Sequence, residues 1–221
     1  MSMNKITHHP SDALLHSHID GDLPESLSVA MTLHCDLCEH CKHKAEKLTQ
    51  LFAVKAWKEP SIRDTNDVDF SDMLDGILNS DITDSYLKEK PVEHIFINSL
   101  HYELPYVLHR YVDMKWNQLG AVSRARLIEE GETRSNLLQI NAGGVIPAHT
   151  HKGFELTLLL DGSFEDESGT YNKGDFIWLD ASHAHSPKTI EGCLCYTVQN
   201  APLHFTQGIS KLFNPIGNLL Y

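Results

Sequence analysis

The sequence predicts an α+β multidomain chain in which a small all-α domain is followed by a β-barrel of the jelly-roll type. Before residue 60, apolar residues recur at helical intervals, whereas after Pro91 short apolar segments alternate with turn residues, as strands do. We place the boundary near residue 90. The helical domain with an acidic linker then spans residues 1–90, and the barrel spans residues 91–221.

Three helices are predicted within the first 58 residues. Ser11 as N-cap and Gly21 as the stop frame the first helix. A second begins at Pro24, and the same helical face continues through Cys38 and Cys41. Residues 42–58 form a further helix that Pro60 ends.

A metal site is predicted on the second helix. His34, Cys38 and Cys41 are separated by four and then three residues, so on a helix they project from one face. Thiolate and imidazole are ligands that Zn²⁺ prefers, and a structural zinc site takes four. The alternative is that these are reduced, buried cysteines and a surface histidine. The spacing leaves the fourth ligand open among His8, His9, His40, His43 and Cys35.

The span from residue 59 to residue 93 has the composition of an exposed linker, because it holds ten acidic and three basic residues. Inside it, the segment SDMLDGILNS predicts a short amphipathic helix capped by Ser71. Such a face packs against its own domain or docks in a groove of a partner. Its apolar face comprises Met73, Leu74, Ile77 and Leu78.

Short strands account for most of the chain after Pro91. The predicted strands are EHIFINSL, YVLHRYV, SRARLIE, SNLLQIN, FELTLLL, GDFIWLD and CLCYTV, with an edge strand in APLHFTQG. The last residues, KLFNPIGNLLY, are not assigned. Gly162 follows the run FELTLLL and is predicted to end that strand.

A second metal site is predicted between Gly143 and Gly162. His149, His151 and Glu155 share a parity, so along a strand their side chains point to the same face and converge on one ion. A further ligand is expected from His183 or His185, which strand geometry does not separate because they are two residues apart.

The spacing around these residues resembles the two cupin motifs. Gly143, His149, His151, Glu155 and Gly162 match the fixed positions of the first, and Gly174 with His185 matches the second. The resemblance implies a cupin barrel and selects His185. Zn²⁺, Fe²⁺, Mn²⁺ and Ni²⁺ all suit three imidazoles and a carboxylate. The sequence departs from the second motif at Asp180, Ser182 and Thr189, where the family usually has Pro, Gly and Asn.

The order of His9, His34, Cys38 and Cys41, with the opening HHPSDALL, resembles ChrR-type anti-sigma factors, which join a zinc-binding anti-sigma domain to a cupin. The resemblance implies that His9 is the upstream zinc ligand, with His8 as its competitor. It also implies a partner, a sigma factor of the extracytoplasmic-function type. The cupin would serve a response to oxidative stress such as singlet oxygen, and the chain would not be an enzyme.

Taken alone, the cupin motifs would support a different function, a metal-dependent dioxygenase or isomerase acting on a small molecule. Arg124, Arg126 and Tyr171 could then contact a substrate. Cys193 and Cys195 share a strand face and are either core residues or redox-responsive thiols near the metal.

Composition restricts the partners and the compartment. With 30 acidic and 18 basic residues the net charge is −12, which disfavours direct contact with nucleic acid or an anionic membrane. The apolar runs are too short to span a membrane, and the polar N-terminus does not match a signal peptide. We therefore expect the protein in the cytoplasm.

Overall fold

The structure, a computed structural model, describes residues 5–58, 70–80 and 92–205 of the chain. A helical region precedes antiparallel β-sheets, so the predicted fold class is confirmed. The predicted boundary near residue 90, Pro60 and most of the acidic linker lie outside the described residues, and the boundary stays a prediction. Among the described helices, none combines the length and hydropathy needed to cross a membrane.

Three helices form the N-terminal region: α1 (Asp12–Asp20), α2 (Glu25–Leu37) and α3 (Glu39–Lys58). The first is bounded as predicted. The hydroxyl of Ser11 accepts a backbone N–H of the first turn, and Gly21 ends the helix in the left-handed conformation with φ of 78°.

The helix boundary near Cys38 differs from the prediction. A single helical face through Cys38 and Cys41 is wrong, because α2 ends at Leu37 and Cys38 adopts an extended conformation with φ of −118° and ψ of 98°. Cys41 instead lies in the first turn of α3, where the carbonyl of Cys38 accepts the N–H of Lys42 at 2.9 Å. The two thiols are therefore presented from the junction of two helices.

Helix α4 (Ser71–Leu78) has the predicted amphipathic face, and every residue of the helix is exposed. The predicted cap is wrong by one residue, since Phe70 occupies the N-cap position and Ser71 is the first helical residue. The apolar face of α4 is thus presented to solvent rather than packed on the described parts of the chain. Its members are Met73, Leu74, Ile77 and Leu78.

Eleven strands are described, and each ladder is antiparallel. They are β1 (Glu93–Ile97), β2 (Leu100–Leu104), β3 (Trp116–Leu119), β4 (Val122–Glu130), β5 (Thr133–Ile140), β6 (His149–His151), β7 (Glu155–Asp166), β8 (Gly169–Asn172), β9 (Phe176–Leu179), β10 (Cys193–Gln199) and β11 (Leu203–Phe205). One seven-stranded sheet has the order β3-β4-β5-β10-β7-β8, and β9 also pairs with β7. Strands β1 and β2 form a hairpin, and β6 pairs with β11.

Two strand predictions are wrong. The segment YVLHRYV is a 3₁₀-helix over Tyr106–Tyr111, because Pro105 starts a turn there and only Leu108 is buried. Strand β7 does not end at Gly162, which takes a φ of 72° inside it and lets the strand bend onward to Asp166.

The helical region and the sheet share one hydrophobic cluster. Side chains of α2 such as Ala30, Met31 and Leu33 are buried in the same cluster as residues of β5, β7 and β10. The hydroxyl of Tyr196, on β10, donates to the carbonyl of Ser26 at 2.9 Å. Helix α2 therefore packs directly on the sheet. A second cluster inside the sheet contains Ile140, Leu159, Phe164, Tyr171, Ile177, Cys193 and Cys195.

Candidate metal centres

The first candidate centre lies where the N-terminal arm meets the junction of α2 and α3. Ligand atoms of His9, His34, Cys38 and Cys41 all lie within 4.8 Å of one another. The Nδ1 atom of His9 is 3.5 Å from the sulfur of Cys38 and 3.5 Å from that of Cys41. For Zn–S and Zn–N bonds of about 2.3 and 2.0 Å, ligands at the corners of a tetrahedron lie roughly 3.5 Å apart, so the spacing fits zinc.

The orientation of His34 also fits a metal ligand. Its Nδ1 lies 2.9 Å from the carbonyl oxygen of Gly174, which can only accept, so Nδ1 carries the hydrogen. The Nε2 atom is then left with a free lone pair, and it is buried without a hydrogen-bond partner. A lone pair on a fully buried ring nitrogen is costly unless a cation or a donor satisfies it.

The pKa shifts of His34 and Cys41 are also consistent with a metal site. Burial lowers the pKa of His34 to about 4, which keeps the imidazole neutral as metal binding requires. Burial and the neighbouring Cys38 raise the pKa of Cys41 to about 12. This thiol would stay protonated on its own, and a bound cation is what would favour the thiolate.

The second candidate centre lies inside the sheet. Ligand atoms of His149, His151, Glu155 and His185 lie within 4.8 Å of one another, and all four residues are buried. The parity argument from the sequence does not explain this grouping, because Glu155 begins β7 while both motif histidines lie on β6. A turn over residues 152–154 brings the carboxylate back to the histidines, and a bridge between His149 and His185 adds the fourth side chain.

Hydrogen bonds orient this cluster from outside. His149 donates from Nδ1 to the carbonyl of Pro147 at 2.9 Å, and Gln199 donates from Nε2 to Oε1 of Glu155 at 2.7 Å. The Nδ1 atom of His185 lies 3.4 Å from the carboxylate of Asp166, whose side chain is buried. Both imidazoles therefore turn Nε2 toward the centre, as outer partners of metal ligands do.

The inner contacts bring nitrogen and oxygen atoms together at distances that suit a bound cation. The Nε2 atoms of His149 and His185 lie 3.0 Å apart, and because Glu155 and Asp166 raise the pKa of His185 against the effect of burial, a proton can bridge these nitrogens where a metal ion would otherwise bind. Nε2 of His151 and Oε2 of Glu155 approach to 2.7 Å outside hydrogen-bond geometry. Burial lowers the pKa of His149 to about 4. Burial alone would raise the pKa of Glu155, yet His151 and His185 hold it well below its usual range.

The sequence of the chain matches one family along nearly its whole length. The sequence model of the ChrR cupin-like domain matches residues 106–203. Over 213 residues, which are 95% of this chain and 97% of the relative, the chain is 32% identical to the anti-sigma-E factor ChrR of Cereibacter sphaeroides. This chain belongs to the ChrR family of anti-sigma factors. The name of that relative describes a regulator of transcription rather than an enzyme.

A solved structure shows the same architecture. A chain in the crystal structure of Rhodobacter sphaeroides SigE in complex with the anti-sigma ChrR matches with a TM-score of 0.66 and 28% identity. The match covers 88% of this chain and 99% of that one. The ChrR fold thus includes both the helical region and the cupin barrel.

The other residues considered as the fourth ligand do not join the first centre of this ChrR family chain. The ring of His8 packs edge-on against Tyr171 at 4.9 Å, and His43 pairs with Glu46 on the surface of α3. His40 lies beside His9, with ring centroids 5.5 Å apart, and Cys35 is half-buried against the shared cluster. Neither belongs to the group of four converging ligand atoms.

The other residues predicted near the second centre are not among its ligands. His183 hydrogen-bonds with Asp180 at 2.8 Å, away from the cluster. A cavity of about 30 Å³ beside the ligands is lined by residues that include Cys195 but not Arg124, Arg126 or Tyr171. Sequence reasoning missed Asp166 and Gln199. No local spacing indicates them, because each reaches its partner from another part of the sheet.

Proposed function

We propose that the chain binds a sigma factor of the extracytoplasmic-function type and thereby inhibits transcription. The observation that carries the proposal is the 32% identity to the anti-sigma-E factor ChrR along 95% of the chain. The name of that relative and the SigE bound to ChrR in the solved complex identify the class of partner. The helical region would contact the sigma factor, and the cupin would control that contact.

The first centre is proposed to hold Zn²⁺ through His9, His34, Cys38 and Cys41. Two thiols and two imidazoles are a typical donor set of closed, structural zinc sites. The ligands come from the arm before α1, from α2 and from the start of α3, so one ion would fasten these three segments together. In this role the metal stabilises the surface that the partner contacts.

Exposed apolar side chains support a protein partner for the helical region. The face of α4 is exposed, with Met73 at 60% and Ile77 at 61% of full accessibility. On the second half of α3, Leu51, Val54 and Trp57 are also exposed. Apolar helix faces of this kind are typical of helices that dock in a hydrophobic groove.

The second centre is proposed to hold Zn²⁺ or another divalent transition metal such as Fe, Mn or Ni through His149, His151, Glu155 and His185. We propose that it receives an oxidative signal, singlet oxygen in particular, as the family resemblance implies. Cys195 lines the cavity beside it, Cys193 is buried two residues earlier on the same strand, and both offer thiols that can be oxidised. The protein would act in the cytoplasm, without direct contact to nucleic acid or a membrane.

Co-expression with the sigma factors of the extracytoplasmic-function type from the source organism, one at a time, tests the proposal. We expect a one-to-one complex on gel filtration and repression of transcription by the purified sigma factor with core polymerase. A chain that is folded and metal-loaded but neither binds nor inhibits any of these sigma factors would refute the proposal.

The sensing role has its own test. His149→Ala removes a ligand of the second centre only. We expect the variant to bind and inhibit the sigma factor like the wild type, while a photosensitiser under light no longer releases the sigma factor. Release that is equal in the variant and the wild type would show that this centre does not receive the signal.

A further inference from the structure

We propose that the turn between β8 and β9 of the cupin (residues 172–176) positions the ligands of the helical zinc site, so that this site spans both domains. The inference rests on the proposed zinc site and goes beyond it. It assigns to Asp175 and Gly174 of the cupin a role in binding the metal of the other domain.

Gly174 holds one ligand directly. Its carbonyl oxygen accepts the Nδ1 hydrogen of His34 at 2.9 Å in a buried contact, and this bond leaves Nε2 to face the other ligands. The ring of Phe176 packs edge-on against His34, with centroids 5.6 Å apart. Both the tautomer and the tilt of this imidazole are thus fixed by the cupin rather than by the helical region.

Asp175 holds the segment that carries the second ligand. Its Oδ1 accepts the backbone N–H groups of Thr7 at 2.8 Å and of His8 at 2.9 Å, immediately before His9. The carbonyl of His8 in turn accepts the N–H of Phe176 at 3.0 Å. The N-terminal arm is therefore hydrogen-bonded along the turn, and His9 emerges from it toward the two thiols.

The turn itself is fixed to the cupin. Oδ2 of Asp175 accepts the N–H of Asn172 at 2.8 Å, and the N–H of Gly174 donates to the carbonyl of Leu159 on β7 at 2.8 Å. The side chain of Asp175 is fully buried, so its carboxylate has no competing water. Two of the four zinc ligands are consequently supported by a rigid part of the other domain.

The arm also packs directly over Gly174. A Cβ built there would lie 2.4 Å from Cδ1 of Ile6, and the φ of 93° disfavours any side chain. Ile6 thus occupies the space directly over the glycine. A side chain at position 174 would push the arm, and with it His9, away from the turn.

Titration of the full-length chain with Co²⁺ tests the proposal, because only the helical site has thiolate ligands. The thiolate-to-cobalt charge-transfer band reports that site alone, whereas the cupin site offers only nitrogen and oxygen. We expect Asp175→Ala to weaken Co²⁺ binding measured by this band by about 10–100-fold, as loss of outer partners does. Asp175→Asn, which keeps one acceptor oxygen, should show a smaller loss.

Asp161→Ala is the matched control. Asp161 lies on β7 and approaches the same turn through Lys173 at 3.9 Å, but it does not contact the arm. Its Co²⁺ titration should match the wild type. If Asp175→Ala fails to fold by circular dichroism, Ile6→Ala decides instead, since it removes the packing of the arm over Gly174 and leaves every cupin residue intact.

Hydrogen exchange gives a second readout. The amides of Thr7 and His8 are protected because both donate to the buried carboxylate of Asp175. Removing the metal with a chelator should therefore speed hydrogen exchange at these two amides. If the wild type shows the charge-transfer band and both Asp175→Ala and Ile6→Ala bind Co²⁺ as tightly as the wild type, the turn does not position the ligands. Absence of the band in the wild type would instead refute the proposed zinc site.

Discussion

Single residues show how the two centres distribute their hydrogen bonds. In each centre, histidines whose Nδ1 is held by a carbonyl or carboxylate turn Nε2 inward, as His34 and His149 do. His9 differs because its Nδ1 is the atom that faces the thiols. The sequence spacing identifies the residues, but the choice of ring nitrogen depends on acceptors far away in the chain.

Cys38→Ser should remove metal from the helical centre, because serine does not supply a thiolate. We expect the zinc content measured by atomic emission to fall by one equivalent and the sigma complex to be lost. Metal binding contributes roughly 10–16 kcal/mol in small zinc-dependent domains, so the loss should be complete rather than partial. Cys35→Ser is the control, since Cys35 lies outside the cluster and should retain both metal and partner. Equal zinc content in the two variants would contradict the assignment.

Gln199→Leu should weaken metal binding at the cupin centre. Gln199 is buried and donates to Oε1 of Glu155 at 2.7 Å, so leucine leaves that oxygen unsatisfied and free to turn away. We expect an affinity about 10–100-fold lower in competition with a chelator. Gln118→Leu, at an exposed position of β3, should bind like the wild type. An unchanged affinity for Gln199→Leu would show that Glu155 is held by other contacts.

At the scale of elements, the sequence predicts those helix and strand boundaries that depend on interactions between neighbouring residues. The cap and stop of α1 depend on Ser11 and Gly21 alone and were predicted correctly. The break at Cys38 is not predicted, because the extended conformation of that residue is marked by no proline or glycine in the sequence. The apolar residues of YVLHRYV predict a strand, although Pro105 directs the segment into a 3₁₀-helix.

Leu74→Gln on α4 should weaken sigma binding without affecting stability. Leu74 is 53% exposed, so the substitution removes little buried area from the free protein. In a docked complex, loss of one buried anchor of about 2 kcal/mol would lower affinity roughly 30-fold. Calorimetric titration against the sigma factor measures this change. Asp75→Gln, on another side of the helix, should bind normally. Equal affinities for the two variants would exclude the apolar face from the interface.

At the scale of the whole molecule, the helical region and the cupin form one packed unit. The sequence predicted two successive domains, and the pattern change near residue 90 gave no sign that α2 would enter the cluster of the sheet. Contacts between distant segments, such as the hydroxyl of Tyr196 with Ser26, depend on how the two regions dock. Periodicity along the chain carries no such information.

Because the cluster is shared, we expect full-length metal-loaded protein to unfold in one calorimetric transition. Tyr196→Phe removes a buried hydrogen bond between the regions and should lower the free energy of unfolding by about 1 kcal/mol. For a chain of this size the midpoint should fall by roughly 2–4 °C, with the single transition kept. Tyr111→Phe keeps the ring under Arg110 and should change the midpoint less. Two separated transitions in the wild type, with only one moved by Tyr196→Phe, would mean that the regions fold independently despite their contact.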